Sequence, residues 1–147
     1  MGYVDYYGIE IELAEILKAD ETLGNVYISV ENVLDLEAGA WIGIYLVGRD
    51  TPDGQPLAAA TRTRFRLHFV LWCWEYSLDS IADAIQKRDL LLGKVEIALM
   101  KNPTINSKVN YSFLNGGELQ SAQIAETAGY IAGGEIILQA DITASTI

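Results

Sequence analysis

The stretch AATRTRFRLHFVLWCWEYSLDSIADAIQKRDLLLGKVEIALMKNP, Ala59–Pro103, decides how the chain folds. Its first part alternates. Phe65, Leu67, Phe69, Leu71 and Cys73 share one side of an extended chain, and Arg62, Arg64, Arg66 and His68 share the other, because successive strand side chains point to opposite faces. This predicts a strand over Ala59–Trp74. The polar side turns apolar at Val70, Trp72 and Trp74, which predicts burial on both faces toward the end of the strand. From Ser77 to Lys101 the period changes. Leu78, Ile81, Ala82, Ile85, Leu92, Val95 and Leu99 approximate one apolar stripe of a helix. Ser77 is the expected N-cap, Asp79 and Asp83 suit the positive end of the helix dipole, Lys101 suits the negative end, and Pro103 stops continuation. A long strand feeding a long helix lays that helix across a sheet, which the other segments must complete.

Those segments follow the same logic. Tyr3–Ala19 predicts a first helix, with Ile9, Leu13, Ile16 and Leu17 on its inner side. Asn25–Val33 and Gly39–Gly48 alternate as strands, and Arg49–Leu57 is a loop punctuated by Thr51-Pro52-Asp53-Gly54 and Pro56. Beyond the long helix, Ile105–Leu114 predicts a strand, Asn115-Gly116-Gly117 a turn, and Glu118–Ala128 an edge strand. Gly133-Gly134 loosens the start of a last strand over Glu135–Thr143. The expected fold class is α+β: a largely antiparallel sheet packed against one long central helix, with an additional N-terminal helix. At 147 residues, without a repeat or linker, the chain is expected to form a single domain over residues 1–147.

Composition narrows the function. Half of the residues are hydrophobic, yet no apolar run reaches the roughly 20 residues that span a bilayer. The N-terminus lacks a basic, secretory-type region, and the single Cys73 fits a reducing interior. No membrane partner is expected. The formal net charge is -10, with acids concentrated before residue 38 and a local reversal at Arg49, Arg62, Arg64 and Arg66. Such a balance argues against phosphate-backbone binding and sequence-specific nucleic-acid recognition. It suits electrostatically complementary self-association or a protein partner, although arginines on a strand also pair with acids on the neighbouring strand.

Catalysis finds little to build on. His68 and Cys73 point to opposite faces of the predicted strand, and no orienting partner for His68 is evident in the sequence. Cys73, between two tryptophans, suits a small buried hydrophobe. Zinc needs several Cys and His ligands that the chain lacks. Asp79 and Asp83 have a sufficient reason in the helix dipole, and neither glycine pair has the spacing of a phosphate-binding loop. No catalytic residue, cofactor or metal is expected.

The whole-chain order carries a resemblance: an amphipathic first helix, strands joined by a long loop, an Arg-rich alternating strand, a long helix containing Ile85-Gln86-Lys87-Arg88-Asp89-Leu90, the Gly-Gly-Glu-Leu stretch at Gly116–Leu119, and a closing apolar strand. This resembles the tail terminator (tail completion) proteins of long-tailed bacteriophages and related particles. The resemblance implies a non-enzymatic subunit of a ring, usually hexameric, on the head-proximal end of the tail tube. The ring ends tube polymerisation and offers the surface for head joining. The implied partners are copies of itself, the tail tube protein and a head-completion or neck protein. The implied location is the virion, assembled in the host cytoplasm. A ring needs two different complementary faces. The candidates are Arg62, Arg64 and Arg66 against Glu10, Glu12 and Glu15, with Asp50, Thr51, Pro52, Asp53, Gly54, Gln55 and Pro56 as a loop for contacting tube or head. The alternatives are another ring component, such as a head-completion or tube subunit, and a small ligand-binding α+β domain.

Overall fold

A computed structural model describes residues 4–32, 39–51, 62–123 and 129–145 of the chain. The elements run α1 (Tyr6–Lys18), a short 3-10 turn (Glu21–Leu23), β1 (Tyr27–Val30), β2 (Ala40–Asp50), β3 (Arg62–Ser77), α2 (Ile81–Met100), β4 (Tyr111–Leu114), β5 (Leu119–Gln123) and β6 (Tyr130–Ser145). The α+β class stands, but the sheet is mixed. Its six strands run in the order β1-β2-β3-β6-β4, with β5 also on β6. Every pairing is antiparallel except β1 with β2, which is parallel.

The alternation in β3 works as the sequence predicts on one side. Phe65, Leu67, Phe69, Leu71 and Cys73 are buried, in one cluster with Ile42 and Ile44 of β2, Ile136, Leu138 and Ala140 of β6, Leu13 and Leu17 of α1, and Leu91, Val95 and Leu99 of α2. Both helices therefore cover this one face of the sheet. The other face meets neither helix, so the expectation of burial on both faces of β3 is corrected: Val70, Trp72 and Trp74 are half-buried.

Helix α2 starts later than expected. Ser80, not Ser77, is the N-cap, its hydroxyl accepting from the Asp83 amide at 3.0 Å. Ser77 instead closes β3. Its hydroxyl donates to Asp83 Oδ2 at 2.6 Å and accepts from the Asp79 amide at 3.1 Å, bracing the strand-to-helix corner. Leu78 and Ala82 are consequently exposed and do not join the inner stripe.

Two further expectations are corrected. Ile105 does not begin a strand; Ile105, Asn106 and Ser107 take φ values of 49°, 52° and 66° in a left-handed turn. Asn102 holds that turn by accepting from the Asn106 amide, while Ile105 is buried beneath it. Asn115-Gly116-Gly117 does not reverse the chain. Five steps from Leu114 to Leu119 lie against four from Leu138 to Gly134, so β4 and β5 are one edge running along β6 with a bulge between them. Gly117, at φ 151°, has no room for a side chain, because a Cβ would collide with the Glu135 carbonyl. Gly133 and Gly134 sit inside β6, and the Trp74 ring occupies the space a Gly133 Cβ would need.

Candidate assembly surfaces

The basic row of β3 lies on the helix-free face. Arg66 is paired in register with Asp141 of β6, and Asp141 with Tyr111 of β4, so three strands contribute to one row. Asp141 is fully closed from solvent. It accepts from Arg66 Nε at 2.8 Å, Arg66 NH2 at 3.2 Å and Arg64 NH2 at 2.9 Å. The Arg66 hydrogen bonds, with further ones from Tyr111 and Arg64, hold the Asp141 carboxyl well below the usual carboxylate range despite its burial. Arg66 also lies 5.1 Å from the Phe113 ring centroid, and Arg64 donates to the Tyr111 hydroxyl. Two of the three candidate arginines are thus engaged within the chain by an acid on the neighbouring strand. Arg64 keeps 47% of its side chain exposed. The side chain of Arg62 lies outside the described residues.

The next row inward contains His68. Its Nδ1 lies 3.0 Å from Gln139 Nε2 and its Nε2 lies 3.1 Å from Asp50 Oδ1. A tautomer with hydrogen on Nε2 satisfies both contacts, accepting from the Gln139 amide and donating to Asp50. The structure therefore supplies the orienting partner that the sequence left unseen. The thiol of Cys73 lies on the opposite face of β3, its pKa pushed up by burial, so the pair forms no nucleophilic dyad. Among the described residues no group of three or more His, Cys, Asp or Glu could hold a metal ion, and no helix is long and apolar enough to cross a membrane.

The three candidate glutamates separate. Glu15 is exposed, and Glu12 accepts from Asn106 Nδ2 at 2.9 Å, tying α1 to the left-handed turn. Glu10 is buried at 4% exposure. Strand β1 stops pairing at Ile44, and the next inward amide, Leu46 N, donates to two carboxylates: Glu10 Oε2 at 3.3 Å and Glu31 Oε2 at 3.1 Å. Burial first, then the hydrogen bond and the charge of Glu31, push the Glu10 pKa up to about 8. Together the two carboxyls satisfy the Leu46 amide where β1 stops pairing. Of the candidate loop, Asp50 and Thr51 are described. Pro52, Asp53, Gly54, Gln55 and Pro56 lie outside the described residues.

Sequence reasoning missed an apolar surface feature on the helix-free face. Trp72 and Trp74 stack at 6.0 Å on the helix-free face, and Tyr27 meets Trp41 edge-on at 5.4 Å. With Tyr45, Val47 and Val70 the tryptophans line an apolar trough of about 580 Å³. Glu31 and Glu135 are its acids, and no lysine or arginine lines it among the described residues. Within the same face, the indole N–H groups of Trp41 and Trp74 and the hydroxyl of Ser29 have no hydrogen-bond partner among the described residues. The signal was present as two tryptophans two apart, but periodicity alone cannot tell a covered sheet face from an uncovered one.

No protein-family model matches the sequence, and no curated protein matches it. Among solved structures, the fold is similar to the sheath/tube terminator of an extracellular contractile injection system in its extended state, at a TM-score of 0.47 and 12% identity. That match covers 99% of this chain and 60% of the terminator, so this chain spans less than two thirds of its length. It is also similar to a chain from the virion of a native gene transfer agent particle, at a TM-score of 0.48 and 10% identity, covering 97% of this chain and 100% of that one.

Proposed function

We propose that this chain is a non-enzymatic structural subunit of a phage-tail-like particle, acting as a tail terminator. In this reading copies of the chain form a ring, usually of six, on the head-proximal end of the tail tube. The ring ends tube polymerisation and presents the surface that a head-completion or neck protein engages. The subunit belongs to the virion and is assembled in the host cytoplasm. The observation that carries an assembly role is the helix-free sheet face, where stacked tryptophans lie half-exposed in an apolar trough. Aromatic side chains presented this way are characteristic of the centres of protein interfaces. The particular assembly is supported by the resemblance of the sequence's element order to tail terminator proteins.

The candidate interface is refined by the geometry. Arg64, half-exposed beside Asp141, and the exposed Glu15 remain available to neighbouring copies, while Glu10 serves the interior of its own subunit. Negative-stain imaging of the purified protein, alone and with tail tubes, tests the proposal. Rings, or caps at one end of the tubes, are expected. A compact particle that neither self-associates nor touches tubes would overturn it.

A second reading, a small ligand-binding domain, draws on the same trough, whose volume falls within the range of small-molecule clefts, roughly 300–1,000 Å³. It predicts a monomer whose melting temperature rises with an aromatic or apolar ligand.

A further inference from the structure

The outward side of α2 carries an apolar stripe that no described element covers. The residues of α2 buried against the sheet are Ala84, Arg88, Leu91, Val95, Ala98 and Leu99. At about 100° of turn per residue, Leu90, Gly93, Ile97 and Met100 fall on the opposite side. Their alternating spacing of three and four residues is that of the inner positions of a paired helix. Leu90, Ile97 and Met100 are 61%, 51% and 62% exposed, and a Cβ added to Gly93 would meet nothing within 4 Å. The stripe has a definite start, since the two preceding inner positions are Asp83 and Gln86. Charges flank it by sign. Lys87, Lys94 and Lys101 follow one side at intervals of seven residues, and Asp89 and Glu96 follow the other. Lys87 is held by Asp83 at 3.0 Å, and Asp89 accepts from Arg88 while its side chain stays 59% exposed. Lys94, Glu96 and Lys101 form no ion pair among the described residues.

We infer that α2 pairs with α2 of a second copy of this chain, side by side and in the same direction, about a two-fold axis. The flanking charges select both the occupant and the direction. In a parallel pair, a residue on one flank faces the residue five places later on the other flank of its partner. This sets Asp89 against Lys94 of the second copy and Glu96 against Lys101 of the second copy. The two-fold axis makes each contact twice. An antiparallel pair would instead set lysine against lysine and acid against acid. A helix with an apolar centre and flanks of opposite sign is thus complementary to itself in the parallel direction alone. In the seam, Leu90, Ile97 and Met100 meet their own counterparts, and Gly93 lets the two backbones approach closely. The helix is already held by its sheet, so pairing carries no cost of helix nucleation. From Leu90 to Met100 the seam is about 15 Å long, so the dimer is a weak one that fills at high protein concentration. The contact is isologous and closes at two copies, unlike the head-to-tail contact of a ring. It stands independently of the tail-terminator reading.

Disulfide formation tests the direction. Leu90→Cys and Ile97→Cys are prepared separately, then oxidised at high concentration alone and as a mixture, and the products are identified by mass. The native Cys73 is fully buried and does not compete. A parallel pair brings each new cysteine to its own counterpart and keeps positions 90 and 97 about 10 Å apart along the axis, beyond disulfide reach. Each variant is therefore expected to cross-link with itself, and the mixture to give the two homodimers with little mixed product. Charge exchange tests the selection. Glu96→Lys and Lys101→Glu should each weaken dimerisation roughly tenfold, as two attractions become two repulsions, measured by sedimentation over a concentration series. Mixing the two should restore the parental affinity, because each then supplies the sign that the other lacks, and a misfolded variant could not be rescued in this way. A mixed disulfide as the main product, a monomer at every concentration, or charge variants that mixing does not restore would overturn the inference. Tube capping is scored separately: a protein that dimerises through α2 and never caps tubes keeps this inference and loses the terminator reading, and caps without α2 disulfides give the reverse.

Discussion

The two faces of the sheet share the same strands and differ in everything else. On the helix-covered face, Leu67, Phe69, Leu71 and Cys73 of β3 have no solvent exposure. On the other face, the side chains between them form a gradient along the same strand. Arg64 and Arg66 hold a buried aspartate at one end, His68 bridges Asp50 and Gln139 next, and Val70, Trp72 and Trp74 form the trough at the other end. One face spends its residues on the stability of the subunit. The other leaves Val70, Trp72 and Trp74 half-exposed among the described residues. A residue type alone does not make this distinction, since Phe69 and Trp72 are both large aromatics of one strand.

The sharpest way to break the comparison is to cut into the covered face. Phe69→Ala removes a fully buried ring and is expected to cost about 3–5 kcal/mol, the usual range for such cavities. Chemical denaturation measures it. A loss no larger than that of an open-face substitution would show that the two faces do not divide stability and assembly as described.

Next in size is Asp141→Asn. It leaves two arginines without a charged partner, at a site where the acid itself is fully enclosed. Breaking a buried pair on one side costs roughly 3–5 kcal/mol, and the partial exposure of both arginines places this case at about 3 kcal/mol or below. The pH dependence has a definite sign. The folded pKa of Asp141 is depressed, so its contribution is complete above the unfolded value, near about 4, and is lost as pH falls through the lower folded value. Acid unfolding of the Asn variant is expected to be flatter over that window. An unchanged acid limb would remove Asp141 from the list of groups that set it.

Glu10 tests the covered side in the other direction. Its folded pKa is raised, to about 8 from 4.5. Stability is therefore full below the unfolded value and declines as pH rises from there through the folded value. Glu10→Gln removes the proton penalty while retaining an acceptor for the Leu46 amide and a donor toward Glu31. The variant is expected to gain on the order of 2 kcal/mol above the folded pKa and little in mild acid. Thermal melts across the range decide this. A gain that does not grow with pH would mean that Glu10 is not the titrating group.

These cases also show what could be seen in the sequence. The alternation of β3, the existence of α2 and the covered face were legible because they depend on local period, and Phe65 through Cys73 fall as the pattern requires. Features that depend on distant partners were not. Arg66 and Asp141 are 75 residues apart, and nothing local announces their pairing. Ser77 reads as the cap in the sequence, but at the corner between β3 and α2 Ser80 takes that place and Ser77 donates to Asp83 instead. Asn115-Gly116-Gly117 has the composition of a hairpin turn, but β6 is long enough to pair on both sides of it, so the glycines serve a bulge. Of the proposed site, the basic row was visible, whereas the trough required knowing that both helices pack on one side.

The smallest expected effect on stability belongs to Trp72→Ala, and for that reason it is the most informative about the open face. The ring is half-exposed and its stack with Trp74 is worth about 0.5–1.5 kcal/mol. No enclosed cavity forms when it is removed, because one side already faces solvent. The subunit should therefore fold with a loss of about 1 kcal/mol, while association beyond two copies, followed by sedimentation at increasing concentration, should be lost. The contrast with Phe69→Ala is the point. If Trp72→Ala costs as much as Phe69→Ala, the open face is part of the subunit's own core and the trough is not waiting for a partner. If it costs little and that association persists, the partner sits elsewhere, and the Arg64 and Glu15 surfaces become the ones to reverse in charge.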